Sequence, residues 1–209
     1  MLDDKRVLGI FAHREDFVAF GWPIFQNEKI KRQLLVCTND GEKPIIEVCE
    51  QENINCFGTI GLDNRFSFMG EGSQLRKHHI MIVDSIAAAI ALMKPDYIFT
   101  HNPMGEYGHY DHTMLFRLLY NYFPQYNIII SDIMANSSYT VSVQNIPRLY
   151  KHLYTNKIAE VMPDHKWYKR NGDIFKQDDL WTCNKGLNLP IYPVNHAGLY
   201  LLEAENVSS

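Results

Sequence analysis

The sequence is short of the features that would assign it at a glance. It has four cysteines, Cys37, Cys49, Cys56 and Cys183, and no two of them stand in a CxxC pair. Cys37 and Cys49 fall within apolar periodic segments, so the expectation is buried free thiols. There is no basic stripe. Twenty Lys and Arg stand against 24 Asp and Glu, giving a net charge of -4, which excludes nucleic acid as the expected partner. The opening MLDDKRVLGIF lacks a cationic start followed by an apolar run and a small-residue cleavage site. No signal peptide is expected, and the cytoplasm is the expected compartment. The most apolar later stretch, IMIVDSIAAAIALM, contains Asp84 and is too short to span a bilayer. It reads as a buried helix, and no integral membrane segment is expected. The segment GIFAHREDF has no GxGxxG, so the phosphate cradle of a dinucleotide-binding oxidoreductase is missing. No internal repeat, low-complexity tract or linker interrupts the chain.

What is present is ordinary globular material: 209 residues, 46% hydrophobic and 21% charged, enough to bury a substantial core. Short apolar runs rich in β-formers occur at 6–13, 33–39, 54–61, 96–102 and 126–133. Between them, helical spacing runs over about 17–29, 43–53, 73–94 and 111–123, with Ser73 as a plausible N-cap and Pro95 just past the end of the third. This alternation predicts an α/β fold, a mostly parallel sheet with helices on both faces. The regularity weakens after 135. Residues 149–162 have helical spacing, 163–179 are polar and turn-rich, and 189–203 suit an extended segment. The expected organisation is one domain over 1–209, with an α/β core at 1–135 and a C-terminal part at 136–209 flanking the cleft.

In open α/β sheets the ligand crevice lies outside the carboxyl ends of the strands. Three polar clusters fall there: AHRED after the first strand, DNRF after the third and HNPMGEYGHYDH after the fourth. In AHRED, His13 and Asp16 are three apart where a strand turns into a helix, so both side chains can enter one pocket. Imidazole plus carboxylate suits zinc or a similar divalent ion. GHYDH places His109 and His112 three apart at the start of the next helix and can complete the set. Two histidines and one carboxylate leave a coordination position open for water, the pattern of a catalytic zinc site. Glu15, next to Asp16, is the candidate general base. His109 then faces the substrate, as an imidazolium that stabilises an oxyanion or protonates a leaving amine. Asp111 is placed to orient a neighbouring imidazole, and Gly-Glu-Tyr-Gly supplies a tight loop.

In order and spacing over about residues 5–133, AHRED and HNPMGEYGHYDH resemble the LmbE-like, or PIG-L, family of zinc-dependent deacetylases. That family includes N-acetylglucosaminyl-phosphatidylinositol deacetylases and the mycothiol- and bacillithiol-pathway deacetylases. Its first motif usually reads AHPDDE and its second ends in HPDH. The resemblance implies a Rossmann-like sheet and one zinc held by His13, Asp16 and His112. It implies Glu15 as the general base, His109 assisting at the oxyanion or leaving group, and Arg65 of GLDNRF on the substrate. Three positions depart from the family pattern: Arg14 stands for proline, Glu15 for aspartate and Phe17 for glutamate. The chain also lacks the membrane anchor of the lipid-linked branch, which points to the soluble bacterial branch.

The function expected is removal of an acetyl or small acyl group from the amide nitrogen of a small-molecule amino sugar or its conjugate. The alternative is a metal-containing sugar-binding or regulatory protein that has lost turnover. His101 and Asn102, ending the fourth strand, and His196 in PVNHAGL are further candidates to line the substrate site. Family members often form homo-oligomers, and the aromatic content permits one here.

Overall fold

The computed structural model describes residues 2–38, 43–62, 78–135, 140–142, 148–177 and 196–205. Its centre is a seven-stranded sheet in the order β3-β2-β1-β4-β5-β9-β8. The strands are β1 (Arg6–Phe11), β2 (Lys31–Thr38), β3 (Asn55–Leu62), β4 (Tyr97–Thr100), β5 (Ile128–Ser131), β8 (Lys157–Val161) and β9 (Ala197–Leu202). The first five pair in parallel, with Val7 opposite both Arg32 and Tyr97 and with Ile98 opposite Ile128. β9 runs antiparallel to both β5 and β8. A separate two-stranded ribbon joins β6 (Ile133–Ala135) to β7 (Thr140–Ser142).

The central strands read as continuous apolar runs because both of their faces are covered. Val7, Phe11, Leu34, Val36, Phe99 and Ile129 enter one core. Their strand neighbours Leu8, Ile10, Leu35, Cys37, Ile98 and Ile130 enter the other, as the two-residue period of a strand requires. Over the second core lie α4 (His79–Met93) and, after the one-turn α5 (Gly105–Gly108), α6 (Tyr110–Tyr122). Over the first lie α1 (Asp16–Ala19), α2 (Trp22–Phe25), α3 (Lys43–Gln51) and α7 (His165–Gln177). The doubly covered parallel sheet expected from the sequence is therefore the fold observed.

Several elements differ from expectation. The helix read over 17–29 is two short ones, because the chain turns at Gly21, where a Cβ would stand 2.4 Å from the Phe17 carbonyl oxygen. The start at Ser73 lies outside the described residues. Lys94, in a left-handed conformation, ends α4 just before Pro95. That helix is only half buried: Ile82, Ile86, Ala89, Ile90 and Met93 face the core, while Ile80 is 68% and Leu92 72% exposed. Residues 149–162 form a 3-10 turn, Arg148–Leu153, followed by β8. The polar segment after it is α7. Asp164 caps it by accepting from the Lys166 and Trp167 N–H groups. Trp167, Tyr168, Asn171 and Phe175 form its buried face.

The buried carboxylate of Glu52 docks α7 against the body. It accepts from Trp167 Nε1 at 2.8 Å, from Asn171 Nδ2 at 3.0 Å and from the Arg170 guanidinium. Phe17, at a position of departure from the family pattern, is a core side chain at 5.5 Å from the Phe25 ring and 5.9 Å from that of Phe175. Among the described residues no helix is long and apolar enough to cross a membrane.

Candidate functional site

The site is built where β1 and β4 end side by side. Thr100 Oγ1 donates to the Ile10 carbonyl at 2.8 Å, and the Ala12 N–H donates to His101 Nε2 at 3.0 Å, fastening the two exits together. After β1 the chain turns sharply, because the Asp16 carboxylate accepts from the His13 N–H at 2.8 Å. The loop after β4 is braced by Asn102. Its Nδ2 donates to the Ile133 carbonyl at 2.7 Å, and its Oδ1 accepts from the Met104 and Glu106 N–H groups. Gly105 (φ 64°), Glu106 (φ 55°) and Gly108 (φ 85°) all take left-handed conformations, which explains the glycines of GEYG. His109 then caps α6, its Nδ1 accepting from the Asp111 N–H at 3.2 Å.

This backbone brings His13, Asp16 and His112 together, all buried. His13 Nδ1 is 3.1 Å from His112 Nε2, and Asp16 Oδ2 is 3.2 Å from each of them. The opposite ring atoms fix the tautomers. His112 Nδ1 is 2.6 Å from Glu106 Oε2 and donates to it. His13 Nε2, 3.3 Å from Asp111 Oδ2, donates there. The atoms facing one another are the second ring nitrogens of His13 and His112 and a carboxylate oxygen that also accepts from the His13 N–H. Such a cluster is held together by positive charge, either a proton on an imidazole or a divalent cation. A tetrahedral zinc with bonds of 2.0–2.1 Å would separate its ligand atoms by about 3.3–3.4 Å, close to the spacing seen. The donor set therefore fits a divalent ion.

The electrostatics agree. Burial alone would lower the His13 pKa, but Asp16, Asp111 and Glu15 raise it well above the usual value. The pocket draws in positive charge. Burial opposes the ionised forms of Asp16 and Glu106 as well. The surrounding imidazoles outweigh it, holding Asp16 well below the carboxylate range and Glu106 at about 2. Among the described residues, two overlapping buried groups have ligand atoms within 4.8 Å of one another: His13, His109 and His112, and Asp16, His101 and His112.

The other expected residues sort by position. Glu15 is partly exposed at the mouth of the turn. Burial and then the neighbouring Asp16 charge raise its pKa, which suits a base that must gain a proton. The His109 ring stacks on that of His112 at 4.5 Å and meets the His13 ring at 4.7 Å. Its Nδ1 lone pair is occupied by the Asp111 N–H, and burial with the two neighbouring imidazoles drives its pKa far down. Its other ring nitrogen, Nε2, is the one left for a partner other than the Asp111 N–H. The imidazole that Asp111 meets is His13. His101 is enclosed, with Nε2 at 3.3 Å from Asp16 Oδ2 and Nδ1 at 3.0 Å from Glu106 Oε2. Asn102 is enclosed too, and the bonds described above engage it with backbone. These bonds make it part of the loop frame. His196 is exposed, 3.7 Å from Glu160. Arg65 lies outside the described residues.

Glu106 received no role from the sequence, yet it joins three parts of the site. Oε2 faces both His101 and His112, and Oε1 accepts from the Asn102 N–H at 3.0 Å. The signal available was a carboxylate between two glycines, five and six residues from two histidines.

No family model and no curated protein matches the chain. Solved structures do share its fold. The A40926 pseudoaglycone deacetylase Dbv21 superposes with a TM-score of 0.64 at 12% identity, over 97% of this chain and 99% of its own. The zinc-inhibited form of the teicoplanin deacetylase Orf2 gives 0.57 at 10% identity, over 97% and 100%. The teicoplanin-bound deacetylase of the same pathway gives 0.56 at 10%, over 96% and 100%. At these identities the likeness is one of fold.

Proposed function

We propose that this chain is a zinc-dependent N-deacylase of the LmbE-like kind, removing an acetyl or small acyl group from an N-acylated amino sugar or its conjugate. The observation that carries the reading is the buried triangle of His13 Nδ1, His112 Nε2 and Asp16 Oδ2, three ligand-type atoms within 3.2 Å of one another. The full-length likeness in fold to deacetylases of A40926 pseudoaglycone and teicoplanin supports it. His13, Asp16 and His112 would hold the ion. Bound there, zinc polarises the amide carbonyl and acidifies a water.

The chain's own groups do the rest. Glu15 takes the proton of the attacking water, and its raised pKa brings it toward the range where a carboxylate accepts one. Neutral His109 donates its Nε2–H to the developing oxyanion. Glu15, now protonated, returns the proton to the departing nitrogen, leaving carboxylate product and free amine. Asp111 and Glu106 hold His13 and His112 in the tautomers that aim their lone pairs at the ion. Arg65, as the family resemblance implies, contacts the substrate. Phe17, where the family usually has glutamate, belongs to the core, so that departure leaves the proposed chemistry untouched.

The test is acetate release from a panel of N-acetyl amino sugars and their conjugates by zinc-loaded protein, alongside Glu15→Gln. Turnover by the wild type that disappears in the variant while zinc stays bound supports the reading. Full activity in Glu15→Gln removes the base assignment. Bound zinc with no acetate from any substrate leaves a metal-holding binding protein.

A further inference from the structure

Two free cysteines lie together at the β3 end of the sheet. Cys49 is in the last turn of α3 and Cys56 near the start of β3, the strand at one end of the sheet order. The chain reverses between them at Asn53 (φ 52°), and the Ile54 N–H donates to the Cys49 carbonyl at 2.8 Å. That bond draws the start of β3 back beneath the helix end. The two thiols are in hydrogen-bond contact, and both line a surface pocket with Ile46, Glu50, Asn53 and Ile54. Cys49 is buried and Cys56 is partly exposed. Cys37, by contrast, is enclosed within β2.

We propose that Cys49 and Cys56 form a redox-reactive dithiol, which low-molecular-weight disulfides close into an intramolecular disulfide. The two thiols have different parts. Contact with Cys56, then burial, pushes the Cys49 pKa far up. Cys56 is the one that solvent reaches, which makes it the attacking group. Its thiolate displaces one thiolate from the small disulfide and forms a mixed disulfide. Cys49 gives up its proton and attacks Cys56 Sγ, releasing the second thiolate. The protein loses two hydrogens, and one small disulfide becomes two thiols. A buried partner beside an exposed attacking thiol is the arrangement that resolves mixed disulfides instead of accumulating them.

The probe is oxidised glutathione added to the folded full chain, followed by intact mass and non-reducing digestion. Glu50 and Glu52 lie between the two cysteines, so a Glu-specific protease separates them unless they are bonded. Expected is a mass loss of about 2 Da, fragments joined through Cys49 and Cys56, and Cys56 modified at least about 10-fold faster than Cys37. Cys49→Ser should trap the mixed disulfide on Cys56, a gain of about 305 Da. Separated fragments, a Cys56 link to Cys183, or a stable glutathione adduct on the wild type would each overturn the proposal. Should Cys49→Ser not fold, the wild-type digest decides alone.

Discussion

Glu106→Ala probes the frame of the site most sharply. One buried carboxylate accepts from His112 Nδ1 at 2.6 Å, from His101 Nδ1 at 3.0 Å and from the Asn102 N–H at 3.0 Å. Alanine leaves three donors buried without these acceptors. Each costs about 1–3 kcal/mol when stranded. Because they share one partner the losses do not add fully, and the figure for breaking a buried charged pair, about 3–5 kcal/mol, bounds the effect on folding. His112 also loses the group that fixes its tautomer, so metal affinity should fall about 10–100-fold. Glu106→Gln separates the two effects. It keeps one acceptor oxygen but turns an NH2 toward another donor, so it should destabilise by about 1–3 kcal/mol. Urea denaturation of the metal-free protein measures the first quantity, and zinc titration against a chromophoric chelator the second. Stability within about 0.5 kcal/mol of wild type together with unchanged zinc affinity in Glu106→Ala would refute the reasoning.

Other substitutions test separate parts. Glu15→Gln should lower kcat about 10²–10⁴-fold with the ion retained, measured by acetate release and metal analysis. Phe17→Ala, removing a ring packed between α2 and α7, should cost about 3–5 kcal/mol by denaturant midpoint. Glu52→Gln should loosen α7 from the body and increase proteolytic cutting in 165–177. Its effect should depend on pH with a definite sign. Burial opposes the Glu52 charge, but hydrogen bonds from Asn171, Arg170 and Gln51 lower its pKa below the ordinary glutamate value. Its stabilisation is therefore full above the unfolded pKa of about 4.3. It fades as pH falls through the folded value, so the stability gap between wild type and variant should close in acid.

The sequence carried the sheet and the meeting of the two histidine motifs because both rest on strong local signals. Continuous apolar strands marked a doubly covered sheet, and the carboxyl-edge rule placed AHRED beside HNPMGEYGHYDH, where His13 and His112 now stand 3.1 Å apart. Other features depended on partners that a sequence does not display. Asn102 ends a strand and is polar, which the sequence shows, but the backbone groups that engage it come from Ile133, Met104 and Glu106. The His109 Nδ1 is engaged by an amide two residues on, which it caps at a helix start. The segment 163–179 read as turns because its charged face dilutes the spacing of Trp167, Asn171 and Phe175, and the Glu52 carboxylate that holds it lies more than a hundred residues earlier. Residues 149–162 kept a helical spacing yet supplied β8, since β9 offers a free edge to pair with.

The most direct test of the central claim is metal content per chain after stripping and reloading with zinc, in the wild type and in Asp16→Ala and His112→Ala. The triangle of His13, Asp16 and His112 predicts one tightly held ion in the wild type and loss of it in both variants. A wild type that retains no divalent ion, or variants that hold it as firmly as the wild type, would contradict the account.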